Sequence, residues 1–322
     1  MDILMLIIGL ALILLGANYL VDGASAIAKK AGLTDFIIGM TIVGIGTSTP
    51  EMVVSFASAI KGNADIAVGN VLGSNLFNTL MILGITALFY PIRLTSNNVK
   101  KDIPFALLAA FVLCTFGCST WLDNTTVNTI SRVGGILLLS LFGVFMAYTI
   151  YSSSSNQAAD TPDNSQGSIK ATPVWKAILM VLGGLCGLVF GGDMFVNSAS
   201  AIARSLGVSD AVIAVTIVAG GTSMPELASC LVAAFKKNTD QALGNVIGSN
   251  VSNIFLILGG SATIHPLVMS GTKPLDLITL MIASLLVFIF AFTFKKKQID
   301  RIEGALLVCI YIGFIALTLH SL

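Results

Sequence analysis

The sequence predicts an all-α membrane protein of ten transmembrane helices, arranged as two inverted five-helix repeats with broken helices 2 and 7 at the centre. Three observations lead there. The chain is 55% hydrophobic and only 10% charged, whereas a soluble domain carries about 25% charged residues. Ten apolar runs reach spanning length. A long stretch of the first half recurs 175 residues later.

The runs lie near 3–28, 35–60, 66–89, 103–122 and 127–151, then near 174–203, 209–235, 241–265, 276–294 and 302–320. The first reads as a span and not as a secretory signal, because only Asp2 precedes it and it is too long for an h-region. Residues 152–173 separate the groups. Rich in Ser, Asn, Asp and Gln, with Pro162 and Gly167, they read as a polar linker between a first repeat, 1–151, and a second, 174–322.

Sorting the 17 Lys and Arg by the span ends they flank places 13 on one side and 4 on the other. The richer side is then cytoplasmic. Both termini face out of the cytoplasm and the linker faces in. Five spans per half is an odd number, so a repeat between the halves must be inverted. The net charge of +1 offers nothing to a nucleic acid. The five cysteines lie scattered in apolar runs and read as small buried apolar residues.

Residues 16–91 align with 191–266 without a gap, with 35 identities in 76 positions. Gly46-Thr47-Ser48-x-Pro50-Glu51 recurs as Gly221-Thr222-Ser223-x-Pro225-Glu226. Gly69-Asn70-Val71-x-Gly73-Ser74-Asn75 recurs as Gly244-Asn245-Val246-x-Gly248-Ser249-Asn250, and Asn78 as Asn253. Small residues let membrane helices pack closely. Packing does not account for duplicated polar groups at membrane depth, where interrupted helices of an inverted pair mark a midplane substrate site.

Those polar groups suit a cation. Pro50 has no N–H and displaces the carbonyl of Gly46, in a turn that Gly44 and Gly46 already loosen, and Pro225 does the same to Gly221. Thr47 and Ser48 stand four and three residues before Glu51, a spacing that puts all three on one helix face. Asn70, Ser74 and Asn78 make a second polar stripe, and the other half repeats both. The set offers oxygen alone, the ligand of Ca²⁺ and Na⁺. His265 and His320 sit near span ends, so zinc and copper lack ligands. A carboxylate inside a span costs about 2.5–3.5 kcal/mol on insertion scales, and no Lys or Arg stands at the depth of Glu51. Such a group must be protonated or hold a mobile cation. Asp65 and Asp240, at the starts of helices 3 and 8, read as N-terminal caps. Asp22 and Asp193 lie nearer span ends, where lining an entrance is one reading and their roles stay open.

The paired motifs resemble the two alpha repeats of the sodium/calcium exchanger family, prokaryotic in type, within the calcium/cation antiporter superfamily. The resemblance implies an alternating-access antiporter of Na⁺ and Ca²⁺ in a cell membrane. It implies that Glu51 and Glu226 bridge a central calcium site. Ser48, Ser74, Ser223 and Ser249, with the backbones of Gly44, Thr47, Ala219 and Thr222, would supply flanking sodium ligands, and helices 1 and 6 would slide. One departure stands out: relatives commonly carry Asp at one of the positions held here by Asn78 and Asn253. The two glutamates then supply all of the central charge, −2, which one Ca²⁺ or two Na⁺ would balance.

Exchange of Ca²⁺ or another divalent ion for H⁺ is the alternative within transport, since an isolated buried Glu also carries protons. A channel with the glutamates as a selectivity ring is a third reading. No Ser/His dyad, Asp pair or His-Glu-x-x-His motif points to an enzyme, and no cofactor motif occurs. The expected partners are Ca²⁺, Na⁺ and the bilayer.

Overall fold

A computed structural model describes residues 2–122, 126–156, 172–208, 213, 219–293 and 297–320. Its helices are α1 (Asp2–Ala31), α2 (Asp35–Thr47), α3 (Thr49–Ile60), α4 (Ala64–Phe89), α5 (Ile103–Gly117), α6 (Arg132–Asn156), α7 (Val174–Ser205), α8 (Met224–Phe235), α9 (Thr239–Ile264), α10 (Pro274–Phe290) and α11 (Arg301–His320). Single helical turns follow α5 at Ser119–Leu122 and precede α8 at Ala219–Gly221.

Six helices, α1, α4, α6, α7, α9 and α11, are long and apolar enough to cross a membrane, and α2 with α3 forms a seventh span bent by 47°. The helices α8 and α10 are apolar but shorter, and α5 runs for 15 residues. Most of the first half of the expected seventh span (209–212 and 214–218) lies outside the described residues, as do linker residues 157–171.

The bend between α2 and α3 has a local cause. Pro50 stands in the first turn of α3 and cannot donate to the carbonyl of Gly46. The Thr49 hydroxyl donates to that carbonyl instead, at 2.7 Å. Ser48, between the two helices, has φ −80° and ψ 10°, and its repeat mate Ser223 has φ −92° and ψ 10° just before α8. Both halves therefore leave helical geometry at the same residue, two ahead of the proline.

The helices α4 and α9 form the centre, with 78% and 89% of their apolar windows buried. Around them α1, α6 and α7 bury 28% and turn side chains such as Ile3, Leu14 and Phe190 outward. That outer face suits hydrocarbon. It also accounts for the cysteines. Cys230 is buried and Cys114 partly so, but Cys118, Cys186 and Cys309 are exposed on outer faces, contrary to the expectation of burial. In a membrane an apolar run does not need to point at the core.

Glycines set the closest approaches. The helices α1 and α7 run antiparallel, with Gly9 against Gly191, Gly16 against Gly184 and Gly23 against Ala177. A Cβ at Gly16 would stand 2.8 Å from the Gly184 carbonyl oxygen. Since α1 and α7 are repeat mates, these mates point in opposite directions. On the central layer, a Cβ at Gly244 or Gly248 of α9 would strike the carbonyls of Phe36 and Met40 on α2.

Two short antiparallel ribbons close the ends. Ile92–Arg93 (β1) pairs with Gln298–Ile299 (β4), and Thr129–Ile130 (β2) pairs with Leu267–Val268 (β3). The shift of 175 residues carries β1 onto β3. The β1 end gathers Lys236, which pairs with Asp22 at 2.6 Å, and Lys297, which donates to Ser96. At the β3 end Asp65 accepts from the Ser270 hydroxyl and the Gly271 N–H. Asp65 and Asp240 are thus not the caps of their helices. Asn63 and Asn238 hold the N-cap positions, where Asn238 accepts from the Gln241 N–H, and the aspartates fall inside the first turn.

Candidate functional site

Glu51 and Glu226 each directly follow a proline in the first turn of a half-helix, α3 and α8. The first turn exposes backbone N–H groups and favours negative charge. Both side chains are completely buried. The Ser48 hydroxyl donates to Glu226 Oε1 at 2.9 Å, and the Ser223 hydroxyl donates to Glu51 Oε1 at 3.0 Å. Each break therefore holds the carboxylate of the other. Ser74, from α4, donates a further bond to Glu51 Oε1 at 3.1 Å.

This crossing corrects the expected face-sharing within each half. Ser48 bonds Glu226 and not Glu51, while the Thr47 hydroxyl turns to Asn245 Oδ1 at 3.1 Å and to the Gly44 carbonyl at 3.4 Å. Three- and four-residue spacing aligns side chains only on an unbroken helix. The break at Ser48 turns these groups toward the opposite half.

The carboxamides arrive on α4 and α9. Both helices widen into a π-helical stretch at matching places, Phe77–Ile82 and Asn253–Leu258. Such wide turns often accompany functional positions. Asn78 and Asn253 are fully buried there. Among the described residues neither side-chain atom of Asn78 has a hydrogen-bond partner, nor does Asn253 Oδ1, and Asn253 Nδ2 makes a long 3.5 Å contact with Asn75 Oδ1. The same holds for Oε2 of both glutamates. Neither carboxylate forms an ion pair among the described residues.

The two halves are not equivalent in detail. Ser249, mate of Ser74, donates to the Gly44 carbonyl at 3.0 Å and to Asn245 Oδ1 at 3.3 Å, and not to Glu226. Gly44 is therefore satisfied by hydroxyls, whereas Thr222 Oγ1 is buried without a partner among the described residues. Ala219 opens the single turn just before Thr222.

Further polar residues brace the site. Asn70 donates to the Glu51 carbonyl at 3.1 Å and to Ser55 at 3.0 Å, and Asn245 donates to Ser229 at 2.7 Å. Asn250 donates to Thr79 at 2.7 Å. Asn75 and Asn250 are identical mates inside the repeated motif, so the duplication itself carried the signal for them. Ser55 and Thr79 have no polar identity with their mates Cys230 and Ile254 and left no such trace.

Two fully buried carboxylates facing each other across the breaks repel unless a positive charge joins them. Among the described residues no group of three or more His, Cys, Asp and Glu occurs, so hydroxyl, carboxamide and carbonyl oxygens must complete any shell. That donor set favours hard cations.

A sequence profile described as sodium/calcium exchanger protein matches residues 1–151 and 176–320. The chain belongs to the sodium/calcium exchanger family. It is 35% identical to the putative antiporter CaxA of Alkalimonas amylolytica over 96% of this chain and 95% of that protein. It is 32% identical to the sodium/calcium exchanger MaX1 of Methanosarcina acetivorans over 99% of both. Its structure resembles that of the sodium-calcium exchanger NCX_Mj soaked with 2.5 mM Na⁺ and 0.1 mM Ca²⁺, with a TM-score of 0.81, 32% identity and coverage of 98% and 97%. Membership in this exchanger family makes the chain a multi-pass membrane antiporter of cations including Ca²⁺.

Proposed function

We propose that this exchanger drives Ca²⁺ across the membrane against Na⁺ by alternating access, with Glu51 and Glu226 as the central calcium ligands. One observation carries the reading: two buried carboxylates, each held by the serine of the opposite break, each retaining an unpartnered oxygen. Asn78 and Asn253 offer further oxygens from the wide turns. Ser48, Ser223, Ser74, Ser249, Thr47, Thr222 and the carbonyls of Gly44 and Ala219 would take sodium on the flanks.

The reading places ten spans as two inverted halves, 1–151 and 174–322, joined by a cytoplasmic linker, 152–173, with both termini outside. The antiparallel contact of the mates α1 and α7 supports it, as do the ribbons that exchange under the repeat. The gathering of Arg93, Lys236 and Lys297 at the β1 end fits a cytoplasmic face there.

Sodium and calcium then compete for one set of oxygens. Two Na⁺ or one Ca²⁺ neutralises the pair, and the empty dianion is the species that the buried site disfavours. Only an occupied cage crosses between faces, which couples the two fluxes. Reconstituted protein in calcium-loaded vesicles tests this. An outward or inward sodium gradient moves calcium if the proposal holds. Calcium flux driven by a pH gradient and indifferent to sodium would instead assign proton exchange.

A further inference from the structure

Of the two repeat mates α3 and α8, the helix pair α1 and α7 leans toward α8. Both helices pack against α8, yet neither packs along α3, the repeat mate of α8. The faces concerned are alike in sequence position and unlike in cover. Ala228 of α8 lies under the pair and is 7% exposed, while its mate Val53 on α3 is 61% exposed.

An ion pair marks the engaged side. Lys236, the residue that ends α8, places its ammonium 2.6 Å from Asp22 Oδ1 and 3.3 Å from the Asn18 carbonyl on α1. It thus spans one turn of α1, residues 18 to 22. The residue that ends α3 is its mate, Lys61. The turn that corresponds on α7 is 193 to 197, and it carries an acid too, Asp193, at the mate position of Asn18. No ion pair joins Lys61 to Asp193, and both are exposed.

We infer that Lys236–Asp22 and Lys61–Asp193 are alternating latches: the first holds the α1/α7 pair on α8 in the state described here, and the second holds it on α3 in the opposite state. This rests on the alternating-access reading. The physical ground is that an inverted duplication which leans one way has an equivalent arrangement leaning the other way. In that arrangement α7 covers Val53, and the lysine ending α3 meets the turn 193 to 197. The acid has moved by one turn between the halves, from 22 to the equivalent of 18, which a lysine spanning that turn can follow. Exposed ion pairs are weak, and a latch on a transporter must be, since a strong one would trap it.

Cross-linking in the full-length chain tests the pairing. Cys118, Cys186 and Cys309 are replaced by Ser, and two variants add Asp22→Cys with Lys236→Cys, or Lys61→Cys with Asp193→Cys. A short, reducible bifunctional thiol reagent should bridge both pairs in vesicles, arrest exchange in each, and release it on reduction. Failure of Lys61→Cys with Asp193→Cys to bridge, while the protein exchanges calcium, overturns the second latch. A second measurement uses native cysteines. Asp22→Asn and Asp193→Asn should shift the half-saturating calcium concentration, read from one face, in opposite directions by about 1.5- to fivefold. Shifts in the same direction, or none, also overturn the inference. Absence of sodium-driven calcium flux in the unaltered chain is a separate failure, that of the functional reading.

Discussion

At the scale of single residues, charge decides most of the chemistry. Glu51 and Glu226 are the two acids that meet across the helix breaks, and each keeps an oxygen that no donor among the described residues reaches. Replacing either by Gln removes half of the central charge yet keeps shape and hydrogen bonding. Glu51→Gln and Glu226→Gln should each insert normally and reduce calcium exchange to background in vesicles. Exchange at the unaltered rate would show that the carboxylates are not the ligands. Asn253→Asp adds a third acid at the wide turn of α9. It should alter the sodium or proton dependence of flux more than calcium affinity, and unchanged sodium and pH profiles would contradict that. Away from the cage, Asp102 just ahead of α5 is buried and accepts from Asn98 at 3.1 Å. Burial raises its carboxyl to about 6, partly offset by Asn98 and Lys101. Because the folded value lies above the ordinary one of 3.8, this residue favours the fold at low pH, and that contribution is lost as pH rises from about 4 through about 6. Asp102→Asn should therefore melt at a higher temperature than the unaltered chain at pH 7, with the gap closing near pH 4.

At the scale of elements, the breaks and the glycine contacts carry the architecture. The breaks were legible in sequence because proline has a single physical effect, the loss of a donor and of room for the carbonyl four residues back. The direction in which Ser48 and Thr47 turn was not legible, since it depends on the 47° bend and on what lies opposite. Nor was the inequality of the glycines. Gly73 and Gly248 are mates, yet a Cβ at Gly248 would collide with the Met40 carbonyl, while among the described residues nothing lies within 4 Å of one at Gly73. Gly248→Ala should cost about 1–3 kcal/mol through overpacking, read as a lower melting temperature in detergent, and Gly73→Ala should be tolerated. Equal losses in the two variants would mean that the halves pack alike.

At the scale of the whole molecule, the balance of charge sets the coupling. On the proposed reading, with Asn78 and Asn253 both neutral, the cage carries −2, and a third Na⁺ would leave an uncompensated positive charge in a medium of low dielectric. A sodium titration of calcium flux with simultaneous current recording should give two sodium ions per calcium and no net current. A net current of one positive charge per calcium ion, in the direction of sodium movement, would mean three sodium ions and would show that the carboxamides contribute more than neutral oxygens. Asn253→Asp in the same assay should restore room for a third monovalent charge.

Sequence alone determined the class of protein, the duplication and the identity of the paired acids. Hydropathy depends on composition over some 20 residues, and an exact shift of 175 residues needs no coordinates to detect. The oxygen chemistry of the site followed from residue type. Tertiary structure decided which serine serves which glutamate, which mates are crowded, and which side the α1/α7 pair leans toward. Those are contacts between segments about 170–220 residues apart, and a repeat that makes two halves nearly identical in sequence cannot say which of two equivalent arrangements the chain adopts.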